Sequence, residues 1–446
     1  MTVSGGAPRR SRSSVSRRVT NESGDPLTTR PSIPAAETSL PARPAEPPTA
    51  AAAPPPGAAP GQPKQPRAVW AITFAVIVAF MGIGVVSPIL RPLAEQLGGT
   101  PSQVSLLFTG YMAVMGLAML VTGAISSRIG TRKTLLLGLF VIAGCSLGAS
   151  LSGTLGQIIG FRAGWGLGNA LFVATSLAAI VGAATGGAPK AIVFYESAVG
   201  IGIATGPLVG GLLGQISWRA AFLGASVLMA VAFALLVVLL PPATTPDRPI
   251  PLIAPLRALG HAGLLSIALV SLLYHLGLFA LFAYAPFVLE LDPLRLGFVF
   301  CGWGVCVVIS SVSVAPRLRT ALGAIGATAL GLALFALTLA VVAVFTGNRP
   351  AVVTCIVVSG LFLGVLNTLV TEIGMDAAPV DGSTAAAAYS FVRFGGGAVA
   401  PWLASRMGEI FNPHVPFAAA AGAVALALGV LALGRRRLPV HHRRQR

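Results

Sequence analysis

Five ionisable side chains interrupt long apolar stretches of the sequence, and they are the first candidates for chemistry: Arg162, Glu196, His275, Glu372 and Arg393. A charged group inside a bilayer is costly, so such residues mark ion or substrate pathways by default. Carboxylates and imidazole take up and release protons, whereas a guanidinium keeps its charge. The set predicts proton coupling. No catalytic triad, metal-ligand spacing or nucleotide-binding motif accompanies it in the sequence.

Structural alternatives are open for the same residues. Arg162 either couples protons or anchors neighbouring helices through backbone carbonyls. Glu196 stands close to Lys190 and to the membrane interface, so partial solvation would explain it equally well. His275 either relays protons or stays neutral and hydrogen-bonded.

The remaining charges differ in depth. Arg393 stands near the middle of its apolar stretch, where it must pair with an acid or face water. Glu372 and Asp376 are spaced i, i+4 on one helical face, close to the cytoplasmic surface. These two form either a cytoplasmic gate or a pair of solvated charges at a helix end.

Membrane helices are the elements that must position these side chains. The chain has 446 residues, of which 55% are hydrophobic and 10% charged, and its mean hydropathy is +0.83. A soluble protein carries about 25% charged residues, and apolar runs of ~20 residues match the thickness of a bilayer. The short alternating segments of a membrane β-barrel are missing from the sequence. We predict an all-α polytopic membrane protein.

Apolar windows bounded by charges, proline or turn residues predict twelve transmembrane helices in two pseudo-symmetric six-helix halves. The spans are roughly 69–90, 103–122, 134–152, 156–180, 191–214, 219–240, 264–289, 296–315, 322–345, 351–374, 383–405 and 416–434. The predicted organisation is a disordered cytoplasmic tail (1–67), an N-terminal half (68–240), a central cytoplasmic linker (241–263), a C-terminal half (264–434) and a basic cytoplasmic tail (435–446).

The net charge of +17 is concentrated in the two tails. Residues 1–68 hold nine basic against four acidic residues, and residues 435–446 hold six basic residues and no acidic one. Basic flanks around apolar spans follow the positive-inside rule, which predicts that both termini are cytoplasmic. The same charge would attract anionic lipid, and we expect no nucleic-acid partner.

A weak internal repeat supports the two halves. Pro207 in "GIATGPLVGG" aligns with Pro401 in "GGAVAPWLAS", and this alignment pairs Gly202 with Gly396. An offset of six spans is what two parallel halves would produce.

Three motifs carry a resemblance to a known family. They are "GAISSRIGTRK" at 123–133 between spans 2 and 3, "RAGWGLGNA" at 162–170 in span 4, and "GIATGPLVGG" at 202–211 in span 5. In this order they resemble the major facilitator superfamily, in particular its twelve-span drug/proton antiporters. The resemblance covers residues 69–434.

The resemblance implies roles for two of these motifs. The loop would be a latch that holds the outward-facing state, formed by Gly123, Ser127, Arg128, Gly130, Arg132 and Lys133. Ser127 stands where the family has an aspartate, so a weakened or rearranged latch is expected. Arg162, in the second motif, matches a residue tied to proton coupling. Many proton-driven exporters carry an acid in span 1, but this span has none, so Glu196, His275 or Glu372 would carry the proton.

The third motif is typical of antiporters and consists of Gly202, Gly206, Pro207, Gly210 and Gly211. Glycines spaced four apart form a smooth helix face that allows close packing, and the proline bends the helix. By resemblance, this bend packs span 5 against a helix of the other half. The groove is therefore either the moving seam between the halves or dense packing without bearing on transport direction.

The favoured interpretation is an inner-membrane secondary transporter that exports small apolar or cationic, drug-like compounds in exchange for protons by alternating access. The alternative is an exporter or symporter of a specific metabolite, such as a sugar, an amino acid or an organic acid. We expect a monomer without enzyme activity, metal or cofactor. The substrate-cavity candidates are polar or aromatic residues within the spans: Tyr111, Asn169, Tyr274, Tyr284, Asn367 and Tyr389, with the apolar or indole rings of Phe108, Trp165, Phe172 and Phe279.

Overall fold

A computed structural model describes residues 66–185, 187–241, 253–377, 379–380 and 382–435. The side chains of residues 187–190, 192, 193, 382 and 383 lie outside this description. The predicted disordered tail, except its last two residues, most of the predicted linker and residues 436–446 of the basic tail also lie outside it. The described residues belong to one compact unit, residues 62–446.

Twelve long helices follow one another in the described chain. They are α1 (Arg67–Gly84), α2 (Pro101–Ile129), α3 (Thr131–Leu151), α4 (Leu155–Ala183), α5 (Gly187–Ile216), α6 (Trp218–Leu239), α7 (Ala262–Leu289), α8 (Pro293–Ile309), α9 (Ala315–Val344), α10 (Arg349–Asp376), α11 (Gly382–Ile410) and α12 (Val415–Gly434). Ten described segments are long and apolar enough to cross a membrane, and one of them, Pro293–Val344, contains both α8 and α9. With α11, the predicted all-α fold class is confirmed.

Shorter helical pieces complete the described chain. A 3-10 turn, Ser87–Ile89, and a helix, Leu90–Leu97, extend α1 toward α2. A short helix, Ala254–Ala258, precedes α7. A π-helical turn, Ser310–Val314, joins α8 to α9.

Two glycines with positive φ set corresponding turns. Gly130 ends α2 with φ 88°, and Gly323 interrupts α9 with φ 73°. Residues other than glycine rarely adopt such angles, so these two positions allow the chain to reverse after the second and eighth crossings. Residues of α9 before Gly323 therefore prolong α8, and the ninth crossing begins after it.

The starts of α2 and α8 also match. Thr100 caps α2 through a hydrogen bond from the Gln103 backbone, followed by Pro101. Asp292 caps α8 through hydrogen bonds from the next backbone N–H groups, followed by Pro293. A side-chain acceptor at the N-cap satisfies helix N–H groups that have no other partner.

Helices α1–α6 and α7–α12 pack in equivalent pairs. α1 lies against α5 as α7 lies against α11, and α3 lies against α4 as α9 lies against α10. The two groups meet through α2 with α11 and through α5 with α8. We call the end of the bundle where α1 begins the tail end, and the opposite end, where α2 begins, the far end.

The aligned glycines of the repeat occupy equivalent contacts. A Cβ added to Gly202 would lie 2.5 Å from the carbonyl oxygen of Ile77 on α1. A Cβ added to Gly396 would meet the carbonyl oxygen of Leu272 on α7. Since α1 and α7 are six helices apart, the two prolines align in three dimensions as they do in sequence.

Candidate functional site

A hydrogen-bonded network in the C-terminal helices joins two of the predicted proton-coupling residues. Arg393 Nε on α11 donates to His275 Nε2 on α7 over 2.8 Å. Arg393 Nη2 reaches Asn367 Oδ1 on α10 at 3.5 Å, and the Tyr274 hydroxyl donates to the same oxygen at 3.0 Å. Four candidates predicted separately from the sequence thus form one site.

A second layer of hydroxyl groups holds the imidazole. His275 Nδ1 lies 2.8 Å from the carbonyl oxygen of Ser271. The Ser271 hydroxyl donates to the Tyr389 hydroxyl at 2.9 Å, and Thr371 lies 3.4 Å from that same hydroxyl. His275, Ser271 and Tyr389 are almost fully buried. These partners fix the ring orientation of His275.

Arg393 stands at the open edge of this network. Its side chain and that of Asn367 are only partly buried. Glu196, on α5 of the other group of helices, is exposed, and its charge interacts with that of Arg393. Among the described residues, no ion pair joins Glu196 to Arg393. We call the space between these two side chains the central gap.

The N-terminal helices hold a different polar cluster around Arg162. Its guanidinium is fully buried, 4.4 Å from the Tyr111 ring centroid and 4.5 Å from that of Trp165. Nη1 donates to the carbonyl oxygen of Gly82 at 3.3 Å, and Asn169 donates to the Tyr111 hydroxyl. Within the described part, Nε and Nη2 of Arg162 have no hydrogen-bond partner. Aromatic faces, which attract cations, hold this charge where an acid was not available.

Glu372 is placed away from the central gap. It pairs with Arg319 at 2.7 Å, and both side chains are partly exposed at the tail end. Asp376 lies one turn further along α10 and is exposed. The structure therefore brings Glu372 to a basic partner in the same group of helices, and does not bring it into the network around His275.

Comparison with known proteins identifies the family. The profile described as "Major Facilitator Superfamily" matches residues 72–401. The chain belongs to the Major Facilitator Superfamily. The multidrug efflux protein YfmO of Bacillus subtilis (strain 168) is 47% identical over 375 residues, which cover 84% of this chain and 94% of the relative. The tetracenomycin C resistance and export protein of Streptomyces glaucescens is 31% identical over 159 residues, covering 34% of this chain and 30% of the relative.

Solved structures share the superfamily fold. The human organic anion transporter MFSD10 (TETRAN) aligns with a TM-score of 0.64 and 17% identity, over 82% of this chain and 99% of that chain. A bacterial homologue of the human lysosomal transporter Spinster, in an inward-facing and occupied conformation, aligns with a TM-score of 0.67 and 15% identity, over 83% and 96%.

The superfamily loop between α2 and α3 makes its described contacts within the N-terminal helices. Arg132 Nη2 donates to the carbonyl oxygen of Val237 at the end of α6, over 2.9 Å. Such a cation stabilises the negative end of a helix. Ser127 donates to the carbonyl oxygen of Ala124 in its own helix. Arg128 and Lys133 are exposed, and Gly123 lies within α2. The latch role of this loop stays a prediction.

The glycine groove of α5 faces its own half. An added Cβ at Gly206 would lie 2.5 Å from the carbonyl oxygen of Met81, and one at Gly210 would meet that of Val85, both along α1. Together with Gly202 against Ile77, this face packs α5 on α1. The expectation that these glycines could form the seam with the other half is wrong, because the four-residue spacing follows the face that meets α1.

The seam with the other half runs along the neighbouring face of α5. An added Cβ at Gly211 would lie 2.5 Å from the carbonyl oxygen of Pro293, and one at Gly297 would lie 2.7 Å from that of Pro207. An added Cβ at Gly304 would lie 2.5 Å from the Cα of Ala204. Backbones of α5 and α8 are therefore in direct contact. Of the motif residues, Pro207 and Gly211 belong to this seam.

The second seam, between α2 and α11, is polar at the far end. The Ser102 backbone N–H and hydroxyl donate to the Glu409 carboxylate over 2.7 and 2.9 Å. The Ser105 and Ser405 hydroxyls are 2.6 Å apart. Glu409 lies beyond the predicted span that ends at 405. Its burial raises the pKa, but the hydrogen bonds from Ser102, Arg406 and Thr100 outweigh this effect and lower it below the ordinary range.

The predicted cavity aromatics are buried rather than exposed to a cavity. Phe108 on α2 and Phe279 on α7 face each other across the halves, with ring centroids 6.3 Å apart. Tyr284 packs at the far end against Phe417 on α12, at 5.6 Å, and beside Gly408 on α11. Tyr111, Asn169, Trp165 and Phe172 are buried in the N-terminal helices, and Tyr274 and Tyr389 in the C-terminal ones. Asn367 is partly buried and reaches the edge of the central gap.

Sequence analysis missed Ser271, Thr371, Ser102 and Glu409. For Ser271, a signal existed, because it stands one helical turn before His275 on the same face. For Glu409 there was none, since its partner Ser102 is 307 residues away in the chain.

Proposed function

We propose that this chain is a secondary transporter that exports drug-like compounds, apolar or cationic, in exchange for protons. The observation that carries the proposal is the central gap, where titratable and charged side chains of opposite halves face each other: Glu196 from one, Arg393 and His275 from the other. The relatives named as multidrug efflux and antibiotic export proteins support the same substrate class.

Alternating access follows from how the halves touch. Their contacts run from the far end, at Ser102 with Glu409 and Gly211 with Pro293, to the middle of the bundle at Gly304 with Ala204. In this conformation a substrate would reach the central gap from the tail end. Rocking of the two halves about these seams would then expose the gap at the far end.

The orientation completes the proposal. Both termini would lie in the cytoplasm, and the protein would work as a monomer in the cell membrane, its basic tails near anionic lipid. Compounds would then enter from the cytoplasm and leave on the outside, while protons move inward down their gradient.

Reconstitution of the purified full chain in liposomes tests this function. We expect ethidium, an aromatic cation, to accumulate in vesicles when the pH gradient is imposed, and to stop when the gradient is collapsed with a protonophore. Ethidium flux that ignores the gradient would contradict proton exchange. Absence of ethidium flux together with flux of a sugar, amino acid or organic acid would favour a metabolite transporter.

A further inference from the structure

The hydrogen bonds around His275 determine which ring nitrogen carries the proton. A peptide carbonyl only accepts hydrogen bonds, so Nδ1, 2.8 Å from the Ser271 oxygen, must carry an N–H group. A guanidinium only donates, so Nε2, 2.8 Å from Arg393 Nε, must present its lone pair. The imidazole is therefore neutral in this conformation, and Arg393 occupies its only free basic position.

A proton and Arg393 consequently exclude each other at Nε2. Protonation of Nε2 would replace the lone pair by an N–H group and place two cations in contact. Like charges at this distance repel strongly in a site that is almost fully buried. Arg393 would have to leave Nε2 whenever the ring takes up a proton.

Other titratable groups around His275 offer no competing partner. Tyr274 lies against the ring, with centroids 4.3 Å apart, and hydrogen-bonds Asn367. Tyr389 on α11 accepts from Ser271. On α10, Glu372 is engaged by Arg319. The neighbouring α2 presents Phe108 on this side, and α12 contains no titratable residue.

Glu196 is the acid that Arg393 can reach by crossing the central gap. Its carboxylate is exposed, interacts electrostatically with Arg393 and has no ion-pair partner in the described part of the chain. Arg393 is long, flexible and only partly buried, and its second contact, with Asn367 at 3.5 Å, is weak. Closure of the tail end would shorten the path between the two halves further.

We propose that Arg393 is a shuttle that makes a proton and a cationic substrate mutually exclusive. With His275 neutral, Arg393 stays on Nε2 and leaves the Glu196 carboxylate free to bind an organic cation. When a proton from water binds Nε2, the hydrogen bond from Arg393 breaks and the guanidinium pairs with Glu196, which displaces the cation. This inference rests on the proposed proton exchange and names its substrate class.

The test measures binding of tetraphenylphosphonium, a permanent aromatic cation, to the purified full chain between about pH 5 and pH 8, where imidazole titrates. For wild type, one linked proton predicts that affinity falls by up to about tenfold per pH unit on the acidic side. Triphenylphosphine oxide, which is neutral, should bind without this dependence. Cation binding that ignores pH in wild type would overturn the shuttle even if a pH gradient drives flux.

Two variants should each remove the pH dependence. His275→Gln keeps an acceptor for Arg393 but cannot be protonated, and Arg393→Gln removes the competing cation. Both are expected to bind tetraphenylphosphonium at acidic pH as tightly as wild type does at alkaline pH. Retention of the wild-type pH profile by either variant would overturn the proposal. His414→Gln is the matched control, because His414 contacts Thr346 and Ala343 at the far end.

A third variant separates charge from packing. Glu196→Gln should weaken binding of tetraphenylphosphonium at least tenfold at every pH and leave triphenylphosphine oxide binding unchanged. Glu95→Gln, an exposed acid at the far end, is its control. Equal binding of the cation by Glu196→Gln and wild type would show that Glu196 is not the partner. Absence of any binding or flux in wild type would instead reject the proposed function itself.

Discussion

Helix α5 meets two neighbours through small residues, and the two contacts differ in what they join. Gly202 and Gly206 bring it against α1 of the same half, whereas Gly211 and the Pro207 carbonyl bring it against α8 of the other half. Both contacts are backbone to backbone, at a separation that an added Cβ would violate. The difference teaches that small-residue spacing predicts close approach but does not name the partner.

The seam between α2 and α11 offers a second contrast. It stands in the same relation to the bundle as the α5–α8 seam, yet hydroxyls and a carboxylate close it at the far end: Ser102, Ser105, Ser405 and Glu409. Backbone contacts in the first seam tolerate no added atom, while hydrogen bonds in the second can break and re-form. We infer that the first seam acts as a pivot and the second as a latch.

The largest effect is expected from Gly206→Leu, on the α1 face of α5. The added side chain would collide with the α1 backbone at Met81, which cannot move without unpacking the N-terminal helices. We expect destabilisation of at least ~3 kcal/mol, the upper range for overpacking, and loss of monodisperse protein by fluorescence-detected size exclusion. Gly429→Leu is the control, since a Cβ there meets nothing within 4 Å.

Gly304→Leu tests the α5–α8 seam. Its side chain would collide with α5 at Ala204, but each group of six helices keeps its own packing. We expect the protein to remain monodisperse while the closed seam loses ~1.4 kcal/mol or more, a tenfold lower population. Ethidium flux in liposomes should fall by about the same factor. Loss of protein as severe as with Gly206→Leu would remove the distinction between the two faces.

Glu409→Gln tests the latch between α2 and α11. Hydrogen bonds to a charged acceptor are worth ~1.5–3 kcal/mol, and a neutral amide keeps part of this, so we expect a loss of ~1 kcal/mol and an approximately fivefold shift toward far-end opening. Spin labels at Gln96 and Pro413, both exposed at the far end, would report the distance between the halves. An unchanged distance distribution would contradict the latch.

The pH dependence of the same latch follows from the lowered pKa of Glu409. A carboxyl whose pKa is lowered by folding stabilises the contact above its ordinary pKa, and this stabilisation is lost only as pH falls through the lowered value. The spin-label distance should therefore stay constant near neutrality and lengthen only in acid below the ordinary titration of glutamate. Opening near pH 6 would show that another group controls the latch.

Ser105→Ala should have the smallest effect. It removes one neutral hydrogen bond, worth ~0.5–1.5 kcal/mol, and the Glu409 contact one turn away remains. We expect flux within about twofold of wild type. A double-mutant cycle with Ser405→Ala measures the pair, and an effect as large as that of Glu409→Gln would make the hydroxyls, rather than the carboxylate, the main closure.

Much of the site was predictable because the cost of burying charge is independent of fold. His275 and Arg393 were identified as buried ionisable residues at similar depth, and the structure joins them at 2.8 Å. Arg162 was expected to use backbone carbonyls as one alternative, and it does so at Gly82. Its aromatic enclosure could not be predicted, since Tyr111 belongs to a different helix.

Local signals in the sequence determined the elements: apolar length fixed the twelve helices, Thr100 and Asp292 their caps, and Gly130 and Gly323 two reversals of the chain. These depend on the bilayer thickness and on backbone angles, which a single segment already contains. Only the tertiary structure decided that Glu409 meets Ser102, that Glu196 faces Arg393, and that the glycines of "GIATGPLVGG" divide between two partners. Such pairings join residues far apart in the chain, and a helix periodicity specifies a face without specifying what lies against it.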